Sequence, residues 1–413
     1  MIAINKRTNI AFICSFIPRN CGIATFSSDL ISNVRLAAGS DFEPTVIAMQ
    51  PEVPLKYQKP VKLSIRKNIK LDYIRAAQYI NSSDIDLVSI QHEFGLFGGS
   101  AGDYLNILLK RVKKPIITTL HTILENPASE YYKSLVELCK ASQQIIVMNT
   151  RGIKILRNVY GVSETRIKLI PHGIPDIPFS DGNHSKRRLG LNGRKTILTF
   201  GLLSRNKGIE VMIRALPKII KTDPTILYVV LGTTHPEVLR SEGPSYKNKL
   251  KKLVDQLNLQ KNVLFRDRFV EDSELFRFLT AADIYVTPYL HEEQLTSGTL
   301  AFAVGAGKAV VSTPYWAAQE LLANDRGRLV GFGDSQALAK SIIEIIQNDL
   351  LFTKMRSRAY KYGRTMTWPR IGHHYWKLFQ AGLAKIPATL RLKSALQNQK
   401  TILYNTDNIY QSA

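Results

Sequence analysis

Three consecutive residues, Ser297, Gly298 and Thr299, have the types and the spacing of an anion-binding helix start. They precede the apolar run 300–304, and a serine in front of such a run is a preferred N-cap. The first turn of a helix offers about four unpaired backbone N–H groups at the positive end of the helix dipole. We therefore predict a phosphate site there. The alternative is an ordinary capped helix that binds no anion. It stays open because a short glycine-containing loop is only a weak signal of phosphate binding.

Two cations, Arg205 and Lys207, lie in the segment GLLSRNKG, between an apolar run and an amphipathic helical pattern. A turn that leads from a buried strand into a helix opens at the edge of a parallel sheet where ligands bind. Both side chains are therefore predicted to neutralise a phosphate through charge-assisted hydrogen bonds. The alternative is a pair of solvated loop cations.

Polar residues also follow the apolar runs in the first half of the chain. Gly22 follows the first run, His92 and Glu93 follow the third, His121 follows the fourth and His172 follows the last. One such histidine is usually a structural residue, whereas several at equivalent ends of one sheet indicate a functional edge.

These residues require a framework of parallel strands that alternate with helices. Apolar runs rich in β-branched residues predict buried strands at 10–17, 45–49, 85–90, 115–120, 144–148, 167–170, 196–200, 226–231, 262–265, 284–287 and 309–312. Helical spacing separates them, as in Ile23, Phe26, Leu30 and Val34. The predicted fold class is α/β, with two Rossmann-like doubly wound domains.

The two series of strands are separated by the segment 174–193, where prolines, glycines and basic residues displace the periodic pattern. We interpret this segment as a linker between an N-terminal domain, 1–173, and a C-terminal domain, 194–366. The polar residues 391–413 lack a pattern and are predicted to form a poorly ordered tail.

Composition limits the class of protein and its partners. The chain has 413 residues, of which 45% are hydrophobic and 22% are charged, and this indicates a soluble globular protein with room for two domains. Its net charge of +23 is first of all typical of a merely solvated basic surface, and it also suits an anionic membrane surface or polyphosphate ligands. Nucleic acid is disfavoured, because the sequence has no aromatic-interleaved basic strand and no zinc-finger spacing.

Cysteine and hydropathy patterns bear on localisation. The three cysteines form an odd set without metal-ligand spacing, which argues for a reducing cytoplasm and against zinc. No run approaches the roughly 18 apolar residues that a membrane-spanning helix requires. The run 10–17 is too short for a signal peptide and lacks a small-residue cleavage site. We expect a cytoplasmic protein, with peripheral contact at the inner membrane face as a further interpretation.

Several segments, in order along the chain, resemble the retaining glycosyltransferases of family 4 (group 1). The second half contributes GLLSRNKGIEVMIRALP, YVVLGTTHP, LTAADIYVTPY and QLTSGTLAFAVGAGKAVVSTPY, and the first half contributes the weaker NCGIATF, TLHT and IPHGIPD. The resemblance implies the GT-B fold, in which two facing Rossmann-like domains bind the acceptor (first domain) and the sugar donor (second domain). It also implies that a final helix, 367–390, crosses back to the first domain.

The resemblance further implies roles for individual residues. Lys207 would contact the donor diphosphate, and the backbone of 297–299 would cradle it. Gly22 corresponds to a loop glycine near the diphosphate and the acceptor. His121 corresponds to the histidine that reaches the reacting sugar, and it is the expected catalytic residue.

Two departures from the family pattern concern the donor. The family has two glutamates separated by seven residues, one for the sugar hydroxyls and one for the ribose, and here Gln294 and Phe302 stand at those positions. Gln294 can still hydrogen-bond a sugar, whereas Phe302 cannot bond a ribose. Leu202 stands where the family has an arginine, and Arg205 is the expected substitute.

The implied activity is transfer of a hexosyl group, of mannosyl or glucosyl type, from a nucleotide diphosphate sugar to a saccharide or lipid-linked acceptor with retention of configuration. No cofactor and no metal are expected, because no paired carboxylates accompany the cations. The alternatives are a nucleotide-sugar epimerase of the same architecture, a non-catalytic nucleotide-sugar-binding relative, which the missing glutamates favour, and a basic nucleic-acid binder.

Overall fold

A computed structural model describes residues 7–384, and the segments 1–6 and 385–413 lie outside the described residues. The predicted tail and the end of the predicted final helix therefore fall outside this range. The chain forms two compact units. Of the described residues, unit 1 contains 7–171 and 368–384, and unit 2 is His172–Thr367.

The sheet of unit 1 contains seven strands, numbered along the chain as β1 Thr8–Cys14, β2 Phe42–Gln50, β3 Val61–Arg66, β4 Leu87–His92, β5 Ile116–Leu120, β6 Gln144–Val147 and β7 Ile167–Leu169. All pair in parallel in the order β3-β2-β1-β4-β5-β6-β7, which is a doubly wound arrangement. Edge strand β3 is not among the predicted strands, because Lys62 and Arg66 interrupt its apolar residues.

Five helices of unit 1 lie between its strands: α1 Gly22–Ala38, α2 Lys70–Ser82, α3 Leu105–Leu109, α4 Ser129–Ala141 and α5 Thr150–Asn158. The spacing of Phe26, Leu30 and Val34 predicts one buried face of α1, and all three side chains are buried. Ile23, at the start of the same helix, is only partly buried.

Unit 2 contains six strands, β8 Thr196–Phe200, β9 Leu227–Leu231, β10 Val263–Arg266, β11 Ile284–Thr287, β12 Ala309–Ser312 and β13 Arg328–Leu329. They are parallel in the order β10-β9-β8-β11-β12-β13. The bounds of β8, β11 and β12 are those predicted from the apolar runs. Strand β13 has two residues, too few to produce a pattern in the sequence.

The helices of unit 2 are α6 Asn183–Leu189, α7 Ile209–Thr222, α8 Pro236–Glu242, α9 Ser245–Gln256, α10 Asp272–Ala281, α11 Gly298–Gly305, α12 Trp316–Leu321, α13 Ser335–Gln347 and α14 Asp349–Gly363. The segment interpreted as a linker, 174–193, lies within unit 2 and contains α6. Its basic cluster is tied to this unit, because Lys186 Nζ donates to Asp283 Oδ2 at 2.6 Å. The segment 174–193 therefore has the composition of a linker, but it contains a helix, α6, that is packed into unit 2.

The last described helix, α15 (Trp368–Ala384), belongs to unit 1 although it follows unit 2 in the chain. Its aromatic side chains enter the core of unit 1: the ring of Trp368 lies 5.2 Å from that of Phe26, and the ring of Phe379 lies 6.0 Å from that of Phe12. Gly372 contacts α1 so closely that an added Cβ would lie 2.4 Å from a backbone carbonyl. The core of unit 1 therefore combines residues from the beginning of the chain with residues of α15, which follows unit 2.

Candidate functional site

The predicted helix start is the first turn of α11. Ser297 is its N-cap: its Oγ accepts a hydrogen bond from the N–H of Leu300 (3.4 Å), and its carbonyl accepts the first helical bond, from Ala301 (3.0 Å). The N–H groups of Gly298 and Thr299 precede these bonds, in the part of a helix that lacks intrahelical acceptors. The predicted capped start is confirmed, and its N–H groups and dipole suit an anion.

Lys207 is held beside this helix start. Its Nζ donates to the hydroxyl of Tyr289 at 2.6 Å and lies 3.9 Å from the centre of the Tyr289 ring. The same hydroxyl lies 3.3 Å from Thr299 Oγ1. The two features that the sequence predicts for a phosphate site, a cation and a helix start, are thus joined through one tyrosine that the sequence analysis does not predict as a site residue.

A second tyrosine supports the first from behind. The rings of Tyr289 and Tyr315 are stacked at 4.8 Å, and both side chains have no exposed surface. Burial raises the pKa of the Tyr315 hydroxyl, and this hydroxyl lies 3.4 Å from both Ser297 Oγ and Thr287 Oγ1. Buried hydroxyls need hydrogen-bond partners, so the two tyrosines restrain the side chains that they contact at the helix start.

His172 lies against the other side of α11. An added Cβ on Gly298 would come within 2.9 Å of His172 Nε2, so glycine is required for this approach. Nδ1 of His172 donates to the carbonyl of Gly173 at 2.7 Å, which leaves the lone pair of the neutral ring at Nε2. Burial lowers the pKa of His172 to about 4, so the ring is neutral at pH 7. Sequence analysis proposes this histidine as a candidate, and the structure brings it to the helix start.

Arg205 and Gln294, which are predicted to bind the sugar donor, form hydrogen bonds with other residues of the protein. Arg205 Nε and Nη2 bind the carboxylate of Glu242 at 2.9 and 2.5 Å. Gln294 Nε2 donates to the carbonyl of Thr296 at 3.1 Å.

Phe302, at the position of the family's second glutamate, lies in an aromatic environment, with ring distances of 6.1 Å to His172 and 6.4 Å to Phe276.

Asn206 connects the two loops of this site. Its carbonyl accepts a hydrogen bond from the N–H of Leu290, and its Oδ1 accepts one from the N–H of His291, both at 3.0 Å. The turn that carries Lys207 is thereby fixed to the loop that leads into α11. A single asparagine between two cations carries no distinctive pattern, and the sequence analysis does not predict this role.

In unit 1, His121 follows β5 and contacts residues of neighbouring elements. Its Nε2 lies 3.0 Å from Gln91 Oε1, and its ring meets that of Phe26 edge-on at 4.9 Å. The next residue, Thr122, donates to Glu93 Oε2 at 2.5 Å. Burial raises the pKa of Glu93, although this bond and one from the Phe94 N–H oppose the shift.

Gly22 and His92, the other residues predicted at the carboxyl ends of the unit 1 strands, differ in exposure. Gly22 is the first residue of α1 and is exposed, with no atom within 4 Å of an added Cβ, so it leaves space at the helix start. His92 is buried between the rings of Phe94 and Phe97, and burial lowers its pKa to about 3. His92 is therefore a neutral core residue.

The described residues also bear on metal binding and on membrane spans. Across residues 7–384, no three His, Cys, Asp or Glu side chains come together in a group that could hold a metal ion. Among the described helices, none combines the length and the apolarity that crossing a membrane requires.

Comparison with protein families identifies both halves of the chain. Residues 34–176 match the family described as glycosyltransferase family 4, and residues 182–366 match the one described as glycosyl transferases group 1. The chain belongs to these glycosyltransferases.

Related proteins agree with this assignment. Over 332 residues the glycosyltransferase is 23% identical to the phosphatidyl-myo-inositol mannosyltransferase of Mycolicibacterium smegmatis, a match that covers 76% of this chain and 74% of the relative. It is 24% identical to the alpha-monoglucosyldiacylglycerol synthase of Streptococcus pneumoniae, over 64% of this chain and 60% of the relative. Its fold matches the GT-B structure of Anabaena HepE in complex with UDP, with a TM-score of 0.71, 17% identity and coverage of 91% and 100% of the two chains. The predicted GT-B fold class is confirmed.

We predict that Lys207→Met weakens binding of UDP or GDP to the glycosyltransferase. A charge-assisted hydrogen bond contributes about 1.5–3 kcal/mol, so the Kd should rise roughly 10- to 100-fold. Isothermal titration calorimetry measures this change. Lys221→Met, which removes an exposed lysine at the far end of α7, is the matched control and should leave the Kd unchanged. Equal affinities of the wild type and Lys207→Met would exclude Lys207 from the site.

Proposed function

We propose that this glycosyltransferase moves a mannosyl or glucosyl group from a nucleotide diphosphate sugar to a saccharide or lipid-linked acceptor, with retention of configuration and without a cofactor. The arrangement of Lys207, Tyr289 and Thr299 at the start of α11 supports a diphosphate donor, because it combines a cation with unpaired N–H groups. The UDP complex of HepE and the lipids in the names of the two relatives support the donor and acceptor classes.

The main chemical requirement is stabilisation of the departing diphosphate while positive charge develops on the sugar. We assign this role to Lys207 and to the N–H groups of Gly298 and Thr299, which are fixed in place before the donor binds. Preorganised donors of this kind typically contribute 10²- to 10³-fold each to the rate. Retention follows if the departing phosphate assists deprotonation of the acceptor, and no protein carboxylate is needed as a nucleophile in this scheme.

Transfer itself is the test of this function. The enzyme is incubated with UDP-glucose or GDP-mannose and with vesicles that contain phosphatidylinositol or diacylglycerol, and sugar incorporation is measured with and without excess EDTA. We expect transfer that chelation leaves unchanged, because cations and N–H groups replace a metal at the diphosphate. Loss of activity that Mg²⁺ or Mn²⁺ restores would contradict metal independence. An epimerised donor without acceptor, or binding without turnover, would favour the alternative functions.

His121 is the proposed catalytic residue in contact with the transferred sugar. We predict that His121→Ala lowers kcat/KM by about 10²-fold or more, while the Kd for UDP or GDP changes little, because a contact with the reacting sugar acts mainly in the transition state. His92→Gln, which removes a neighbouring imidazole that is buried in the core, is the control and should not reproduce this fall in kcat/KM. A His121→Ala enzyme with normal melting temperature and full turnover would refute the catalytic role.

We also propose peripheral contact with an anionic membrane through the segment 53–75. It contains seven basic residues: Lys56, Lys59, Lys62, Arg66, Lys67, Lys70 and Arg75. Its one acidic residue, Asp72, is bound by Arg66 at 2.7 Å. Val53 and Leu71 are 77% and 50% exposed, so apolar side chains accompany the positive charge. Basic surfaces gain about 1 kcal/mol per Lys or Arg at an anionic leaflet.

Vesicle sedimentation tests this contact. The enzyme should bind vesicles that contain phosphatidylglycerol and not vesicles of phosphatidylcholine alone, and binding should weaken with salt. The double variant Lys67→Glu/Lys70→Glu should lose this binding. Lys251→Glu/Lys252→Glu, on α9 of unit 2, makes the same change in net charge and should retain it. Equal loss in both variants would indicate a non-specific charge effect and contradict the proposal.

A further inference from the structure

A continuous series of buried polar groups connects the last helix to His121. On α15, the hydroxyl of Tyr375 lies 3.0 Å from Thr119 Oγ1. Gln91 Nε2 lies 3.5 Å from the same oxygen, and Gln91 Oε1 lies 3.0 Å from His121 Nε2. Tyr375, Thr119 and Gln91 each have no exposed surface, so water does not compete for these bonds.

The direction of these hydrogen bonds determines the state of His121. A carboxamide oxygen only accepts, so the contact with Gln91 Oε1 requires a hydrogen on His121 Nε2 and leaves the lone pair of the neutral ring on Nδ1. Reversing the Gln91 amide would replace the oxygen by a donor. In the orientation seen here, its Nε2 donates to Thr119 Oγ1, and the Thr119 hydroxyl is also bonded to Tyr375. Burial raises the pKa of Tyr375, which keeps this hydroxyl protonated.

A second contact joins α15 to the same histidine. Trp368 lies edge-on to the ring of Phe26 at 5.2 Å, and Phe26 also lies edge-on to the imidazole of His121 at 4.9 Å. Both the hydrogen-bonding edge and the ring plane of His121 are therefore linked to α15.

We propose that Gln91 is a positioning residue that sets the tautomer and orientation of His121, and that α15 stabilises this arrangement through Tyr375 and Thr119. The importance of this arrangement for the reaction rests on the proposed function of His121. Because α15 follows unit 2 in the chain, the positioning of this histidine in unit 1 depends on residues that are synthesised after unit 2.

Nitrogen NMR of the histidine side chains in the full-length enzyme tests the proposal. His121→Ala identifies the His121 signals, and the wild type should show the Nε2–H tautomer. Gln91→Met, which keeps the volume and removes the acceptor, should shift His121 toward the Nδ1–H form. Tyr375→Phe should shift it in the same direction to a smaller extent.

The control is Tyr73→Phe. Tyr73 is also fully buried in unit 1, and its hydroxyl donates to the carbonyl of Lys67 at 2.8 Å and accepts from the N–H of Gly98 at 2.9 Å. Its loss should leave the His121 signals unchanged. An Nδ1–H tautomer in the wild type, or unchanged His121 signals in Gln91→Met, would overturn the proposal. If Gln91→Met does not fold, unchanged signals in Tyr375→Phe would overturn it.

Turnover supplies the second measurement. The rate of UDP or GDP release from UDP-glucose or GDP-mannose should fall about 10- to 100-fold in Gln91→Met, while the Kd for UDP or GDP stays the same; loss of the hydrogen-bond partner of a metal-bound histidine has effects of this size. If His121→Ala retains the full rate, the catalytic role of His121 fails, and the tautomer measurement still decides whether Gln91 positions it.

Discussion

Both candidate sites depend on the same constraint: a polar group at the buried edge of a parallel sheet must find its hydrogen-bond partner within the protein. The Tyr289 hydroxyl has no exposed surface, and its partners are Lys207 and Thr299. Gln91 is equally buried, and its partners are Thr119 and His121. A buried polar group without a partner costs about 1–3 kcal/mol, so each of these residues constrains the side chains around it.

This constraint explains how flexible side chains become ordered before a ligand binds. A lysine has several rotatable bonds and loses considerable entropy when a ligand immobilises it. Lys207 is already held by the hydroxyl and the ring of Tyr289, which in turn is stacked on Tyr315. Much of the cost of ordering this cation is thereby met by folding, and binding of an anion need not supply it.

Two other residues that the resemblance implies for the donor site have contacts of their own. Arg205 is bound by Glu242 at the protein surface, and Gln294 bonds within its own loop. Phe302 is surrounded by aromatic rings, as suits a residue that cannot bond a ribose. In the proposed function, Lys207 and the backbone of 297–299 would bind the diphosphate, the part that different nucleotide sugars share.

The sequence alone determined the features that have a local physical cause. Strands β8, β11 and β12 are continuous apolar runs, and the start of α11 is set by a serine N-cap before a buried run, so periodicity and capping predict both. Motifs in their expected order also predicted the family and the GT-B class.

The tertiary structure alone decided which of the candidate residues are brought together. Tyr289 is 82 residues from Lys207, and Tyr375 is 256 residues from Thr119, and no pattern in the chain relates either pair. Helix α6 likewise forms in a segment whose composition indicates a linker, because Lys186 finds Asp283 in the folded unit. Hydrogen bonds between distant residues depend on distance and burial in the folded protein, and neither property is recorded in local sequence.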